Sequence, residues 1–157
     1  MFRILIILSV ILISPQMARA QASPVSFEEL ESLQEIQPRP VAVLIMTGWC
    51  KYCHAMKNSL LKNREISALL SDKYYLVLLD AEEKRDIIFS GRRFKFRPTG
   101  LNTGLHELAG ELGLIGGRIA YPSLCFLNNK HEIIYQHEGF LNPAGLSVLL
   151  KKLSSDK

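Results

Sequence analysis

The sequence predicts one α/β domain in which helices cover a central sheet, and three observations lead there. Val41-Ala42-Val43-Leu44-Ile45-Met46 is an unbroken apolar run. Such a run marks a strand covered on both faces, which happens when helices pack on either side of a sheet. The segments after it alternate between helical spacing and short β-rich runs, the pattern of α/β layering. The chain has 157 residues, 48% of them apolar and 22% charged. That is enough for one domain with its own core, and the apolar share is too high for a disordered chain.

Residues 1–20 are set apart from that fold. Met1-Phe2-Arg3 is a short positive start, Ile4 to Ile13 is apolar except for Ser9, and Ser14-Pro15 ends the run. Ala18-Arg19-Ala20-Gln21-Ala22 then offers two A-x-A frames, with cleavage expected after Ala20 or Ala22. This is the build of a secretory signal peptide, and the run falls short of the ~20 apolar residues that span a bilayer. The expected location is therefore periplasmic or secreted, with the membrane met only in passing through the signal peptide. Lys plus Arg exceed Asp plus Glu by 19 − 15 = 4; removing Arg3 and Arg19 leaves +2. A nearly neutral exported domain is a poor match for nucleic acid. Export also places its cysteines where disulfides form and persist.

The division expected is an N-terminal helix and linker over 21–40, then the domain over 41–157. Ser26-Phe27-Glu28-Glu29 fits a capping box and opens a helix through about Gln34. Pro38-Arg39-Pro40 stops it before the apolar strand. Thr47-Gly48-Trp49 turns that strand into Cys50-Lys51-Tyr52-Cys53, behind which Ala55, Met56, Ser59 and Leu60 recur at helical spacing. Ile66 to Leu70 reads as a further helical stretch and Tyr74 to Leu79 as a strand. Ile87-Ile88-Phe89 and Phe94-Lys95-Phe96, flanking Ser90-Gly91-Arg92-Arg93, read as a hairpin. Leu105, Leu108, Ala109 and Leu112 give one helix face, stopped by Gly113 and the Gly116-Gly117 pair. Leu124 to Leu127 and Ile133 to His137 are strands joined by Asn128-Asn129-Lys130. Asn142 as N-cap and Pro143 at the first helical position open a last helix, ending near Lys152.

Chemistry concentrates at Cys50 and Cys53. A C-x-x-C where a buried strand meets a helix start puts the first sulfur near unpaired backbone N–H groups and the positive end of the helix dipole. Both favour the thiolate, which is the nucleophile of disulfide exchange. The second sulfur, one turn on, is within bridging reach and can release a bound partner. Cys50 is the expected accessible attacking thiol and Cys53 the resolving thiol. The charge of Lys51 favours a thiolate at Cys50.

Trp49-Cys50-Lys51-Tyr52-Cys53 after an apolar strand, with Tyr121-Pro122 leading another, resembles the thioredoxin superfamily. The likeness runs from Val41 to Lys152 and is nearest to exported bacterial thiol:disulfide interchange proteins, including the reducing C-terminal domain of the transmembrane disulfide reductases. The resemblance implies a thioredoxin-like fold with a central mixed sheet, and a disulfide oxidoreductase whose clients are protein thiols and disulfides. It implies an upstream redox partner and a reductase or interchange direction. It requires no cofactor beyond the Cys50–Cys53 disulfide and no metal. By the same resemblance Trp49, Tyr121 and Pro122 contact substrate, Lys51 and Tyr52 support the dithiol, and Gly139 matches the glycine ahead of the last helix. Pro122 would carry a cis bond, which bares the preceding backbone to an extended peptide. The pattern departs from thioredoxin in three ways. Leu44 stands where thioredoxin buries a carboxylate, leaving water or Glu82 as the proton acceptor for Cys53. Lys51-Tyr52 replaces Gly-Pro. The stretch from Cys53 to Pro122 is longer, consistent with an insertion around 84–118.

Two other chemistries share the motif. Cys50 to His54 also spells C-x-x-C-H, the attachment pattern of c-type haem, although the strand before it suits an α/β domain better. The two thiolates could hold Cu(I), but His106, His131 and His137 fall in a helix start, a turn and a strand, where packing or surface roles are usual. Cys125 alternates with Leu124 and Phe126 and reads as a buried, inert thiol. Arg92, Arg93, Lys95 and Arg97, interleaved with Phe94 and Phe96, read as a solvated face, with client docking as the second reading.

Overall fold

The computed structural model describes residues 21–155; the signal segment expected over 1–20 lies outside them. The apolar run forms β1 (Val41–Met46), with every residue buried. Side chains alternate across a strand, so β1 feeds two cores. Ala42, Leu44 and Met46 face one core with Met56, Leu60, Ile66 and Leu70. Val41, Val43 and Ile45 face the other with Phe27, Leu30, Leu108 and Leu112.

The first core is roofed by α2 (Lys51–Lys62), α3 (Arg64–Lys73) and α5 (Pro143–Ser155), the last contributing Leu146 and Leu150. Asn63 ends α2 and caps α3, its Oδ1 accepting from the N–H groups of Glu65 and Ile66. Asn142 caps α5 as expected, accepting from the Gly145 N–H at 2.9 Å. The second core is covered by α1 (Phe27–Ile36) and α4 (Glu107–Gly113). Both arms of the capping box at Ser26 and Glu29 are made. Residues 21–40 are integral to this layer: Phe27 and Leu30 are core residues, and the Val25 N–H donates to Leu76 O beyond β1.

The sheet is mixed, with strand order β10-β9-β1-β2, where β2 is Tyr75–Asp80, β9 is Ser123–Leu127 and β10 is Ile133–Glu138. β1 runs parallel to β2 (Val43 opposite Val77) and antiparallel to β9 (Val43 opposite Cys125). β9 and β10 are antiparallel, with a register shift between Ile133 and Tyr135. Consequently the C-terminal ends of β1, β2 and β10 and the start of β9 share one edge of the sheet.

The segment between β2 and β9 differs from expectation in detail. β3 (Ile87–Phe89) pairs with β4 (Arg92–Phe94) across a two-residue turn, because Ser90 (φ 52°) and Gly91 (φ 71°) both take the left-handed conformation that such a tight hairpin needs. Arg92 and Arg93 therefore belong to the strand, and Phe96 begins a second hairpin, β5 (Phe96–Pro98) with β6 (Gly104–His106). Leu105 lies in β6 and not on the helix: His106 caps α4, its Nδ1 accepting from the Leu108 N–H at 3.3 Å. Gly116-Gly117 turns a third hairpin, β7 (Leu114–Ile115) with β8 (Arg118–Ile119).

Candidate active site

The dithiol sits where β1 passes into α2. Ala81 N–H holds Met46 O at 2.7 Å and Cys50 N–H reaches Thr47 O at 3.3 Å, which fixes the turn through Gly48 and Trp49. Cys50 is the N-cap of α2, in extended conformation, and His54 N–H donates to its carbonyl at 3.2 Å. The Cys53 N–H donates to Cys50 Sγ at 3.1 Å. The sulfur thus takes the place of the oxygen that usually satisfies a helix's first N–H groups. Cys50 and Cys53 are joined in a disulfide, with Cα atoms 5.2 Å apart.

Exposure separates the two sulfurs. Cys50 keeps 7% of its surface and Cys53 none. The accessibility expected for Cys50 is not met in the disulfide form: it is a buried residue that packs in the same apolar cluster as Met46, Cys53 and Leu124 and keeps only a small opening to solvent. Trp49 is 71% exposed, and its ring meets Tyr121 edge-on at 6.1 Å. Lys51 projects over the Tyr52 ring at 5.2 Å, and Tyr52 packs against Phe140 at 5.7 Å.

Pro122 follows a cis bond from Tyr121 and leads β9, whose first residue, Ser123, lies opposite Ile45 near the end of β1. Gly139, at φ 93°, donates its N–H to Pro122 O at 2.9 Å and so ties the loop ahead of α5 to the proline. The structure thus brings Trp49, Cys50, Cys53, Tyr121 and Pro122 to one edge of the sheet, with Lys51 and Tyr52 on the first turn of α2. The residue that sequence reasoning missed is Phe140. Its neighbour Gly139 was legible, but nothing local signals the contact with Tyr52.

Leu44 is fully buried in an apolar cluster that also holds Cys53. Glu82 is half-buried, and its charge, together with that of Asp80, adds to burial in holding the Tyr121 phenol above its ordinary range. Thr47, 1% exposed, has a hydroxyl with no hydrogen-bond partner. His54 lies on the exposed side of α2, with Nε2 2.8 Å from Gly48 O. His106 is buried as a helix cap, His131 stacks on Phe89, and His137 pairs with Leu124 in the sheet. Among the described residues no group of three or more His, Cys, Asp or Glu is placed to hold a metal ion.

Cys125 is free and wholly buried, and burial pushes its thiol up to about 12. The basic cluster is largely compensated. Arg92 makes two hydrogen bonds to Glu111, Arg93 pairs with Asp86 and Arg97 with Glu107.

Comparison with known proteins agrees with this architecture. The thioredoxin-like family matches residues 26–128. The fold is similar to that of the DsbH oxidoreductase (17% identity, TM-score 0.59, covering 90% of this chain and 88% of that one). It is also similar to a disulphide isomerase from Xylella fastidiosa Temecula1 (19%, TM-score 0.54, 80% and 86%). A thioredoxin from Thermus thermophilus matches at 19% identity and TM-score 0.59, over 85% and 88%. No curated protein sequence matches. The match over most of the described residues, on a mixed sheet with a C-x-x-C disulfide at the helix start, places this chain in the thioredoxin-like family.

Proposed function

We propose that the protein is an exported thiol–disulfide oxidoreductase that exchanges disulfides with protein clients, with Cys50 attacking and Cys53 resolving. The observation that carries this reading is the asymmetry of the pair. Cys50 alone keeps surface, and it alone accepts an N–H at the tip of α2. In the reduced state the Cys50 thiolate attacks a client disulfide, forming a mixed disulfide while one client thiolate leaves. Cys53, once deprotonated, attacks Cys50 Sγ, forms the Cys50–Cys53 bond and expels the second client thiolate. Two electrons pass from the dithiol to the client, and protons from solvent neutralise the thiolates. A dithiol partner must then reduce the pair again for a further turnover in this direction.

Trp49, Tyr121 and Pro122 form the client-facing rim in this reading, and Lys51 and Tyr52 shape the mouth. The redox-active disulfide serves without a further cofactor. The N-terminal sequence supports a periplasmic or secreted setting. The reductase or interchange direction rests on the likeness to exported members of the superfamily.

The test is a pair of variants. Cys53→Ser, pre-reduced, should accumulate mixed disulfides with client proteins that carry disulfides, visible on non-reducing gels and lost on reduction. Cys50→Ser should form none and lose exchange with a model disulfide. Exchange that survives in Cys50→Ser refutes the assignment.

A further inference from the structure

The strand order determines what a client meets on either side of Cys50. Along the shared edge of the sheet the loops run in the order of their strands: the Gly139-Phe140 loop after β10, Tyr121-Pro122 before β9, the Trp49-Cys50 turn after β1, and Asp80 to Glu82 at the end of β2. The two ends of this row differ chemically. At one end Phe140 is 42% exposed and Tyr52 55%, stacked together, with the Lys51 ammonium over the Tyr52 ring. At the other stand the carboxylates of Asp80 and Glu82, close enough to Tyr121 for their charge to act on its phenol. Lys51, Asp80 and Glu82 join none of the ion pairs found among the described residues, so their charges are open to a partner.

We infer that Tyr52 and Phe140 form an apolar selectivity clamp, and that the preferred client is an extended segment with a large apolar residue and a carboxylate on one side of its cysteine and a basic residue on the other. This rests on the exchange reading above. Two exposed rings in contact offer a ready surface for a third apolar side chain, and the exposed, unpaired ammonium beside them suits a carboxylate. The acidic end suits a cation and repels an anion. Because the clamp acts on docking, its effect is confined to clients long enough to reach it.

The experiment is single-turnover oxidation of the pre-reduced protein by two probes. One is hydroxyethyl disulfide, too small to touch the clamp while bonded to Cys50. The other is a synthetic peptide whose cysteine, bonded to a small thiol, carries Phe and Glu on one side and Lys on the other, made in both chain orders. The readout is the ratio of the peptide rate to the small-disulfide rate. For the better chain order, Phe140→Ala should lower this ratio about tenfold, the loss expected for one well-buried apolar contact. Phe140→Leu, which keeps apolar bulk, should retain most of it. Replacing the peptide Glu with Lys should lower the ratio in the wild type, and Lys51→Glu should reverse that preference. A ratio unchanged in Phe140→Ala, equal loss in both Phe140 variants, or indifference to the peptide charge overturns the clamp. Wild-type protein that oxidises with neither probe overturns the exchange reading instead, so the two failures are distinct.

Discussion

The Cys53 N–H points at the sulfur of Cys50, 3.1 Å away, so the first residue of the pair is stabilised by the backbone of the second. In the disulfide this bond serves a neutral acceptor. Once the pair is reduced the same N–H faces a sulfur that can carry charge, and charge-assisted bonds are roughly twice as strong. Cys53 accepts no such bond and is sealed from solvent. One local feature thus favours ionisation of one thiol and not the other.

A titration follows from this relationship. In the reduced protein, ultraviolet absorbance of thiolate should show one of the three thiols ionising below the ordinary ~8.5 of a free cysteine and the two fully buried ones, Cys53 and Cys125, above it. Cys50→Ser should remove the lower transition. Lys51→Glu should move that transition upward, and added salt should shrink the difference between the variant and wild type, since Lys51 is exposed. A lower transition that survives in Cys50→Ser contradicts the assignment.

Cys125 makes a different prediction because its environment works against ionisation. Burial holds its thiol at about 12, and burial likewise holds Tyr74, whose hydroxyl donates to Leu150 O, at about 12. Unfolded chains ionise these groups near ~8.5 and ~10. Between those values and about 12 the unfolded state binds fewer protons than the folded one, so stability falls as pH rises and is fully present below pH ~8.5. Urea midpoints should therefore decline from pH ~8.5 upward. Cys125→Ala should make the first part of that decline shallower. In the native protein at pH ~8, iodoacetamide should leave Cys125 untouched and modify it only after denaturation.

How far the sequence revealed the fold depends on how much each element's signal is its own. β1 was legible to the residue because both faces are buried, which leaves no polar interruption. The caps at Ser26 and Asn142 were legible because capping uses residues within one turn. Between β2 and β9 the strands are two or three residues long, too short for a period to show. Arg92 and Arg93 looked like turn residues by polarity, yet the turn is set by backbone handedness at Ser90 and Gly91. Leu105 shares helical spacing with Leu108, Ala109 and Leu112, but its own backbone pairs with Arg97 across a hairpin. At the site, the dithiol and its proline could be read from local motifs. Phe140 could not, because its partner Tyr52 is brought to it only by the sheet.

The compensated arginines yield a test of the second reading for the basic cluster. Arg92, Arg93 and Arg97 each face a carboxylate on the same surface, and all three side chains are more than half exposed. Exposed pairs of this kind contribute little to stability. Replacing the three arginines with Gln should leave the denaturation midpoint nearly unchanged. If the cluster is a solvated face, the rate with a protein client should also hold. A selective loss with the protein client, at constant rate with hydroxyethyl disulfide, would favour docking there.

Leu44 offers the most direct test of how the second step is run. It is fully buried, lies between Leu78 of β2 and Leu124 of β9, and shares its cluster with Cys53. A carboxylate placed there has no cation to pair with, so Leu44→Asp should cost about 3–5 kcal/mol of stability. Burial raises a carboxyl's pKa, so the folded variant holds the proton longer than the unfolded chain does. The deficit against wild type should therefore widen as pH rises above the unfolded value of ~3.9. The same group would give Cys53 a nearby proton acceptor once ionised. In single-turnover kinetics, resolution of the mixed disulfide should then speed up with pH in Leu44→Asp relative to Leu44→Asn, which cannot titrate, while the initial attack by Cys50 stays similar in the two. Equal resolution rates in Asp and Asn would show that the proton leaves Cys53 by a path that does not pass this strand.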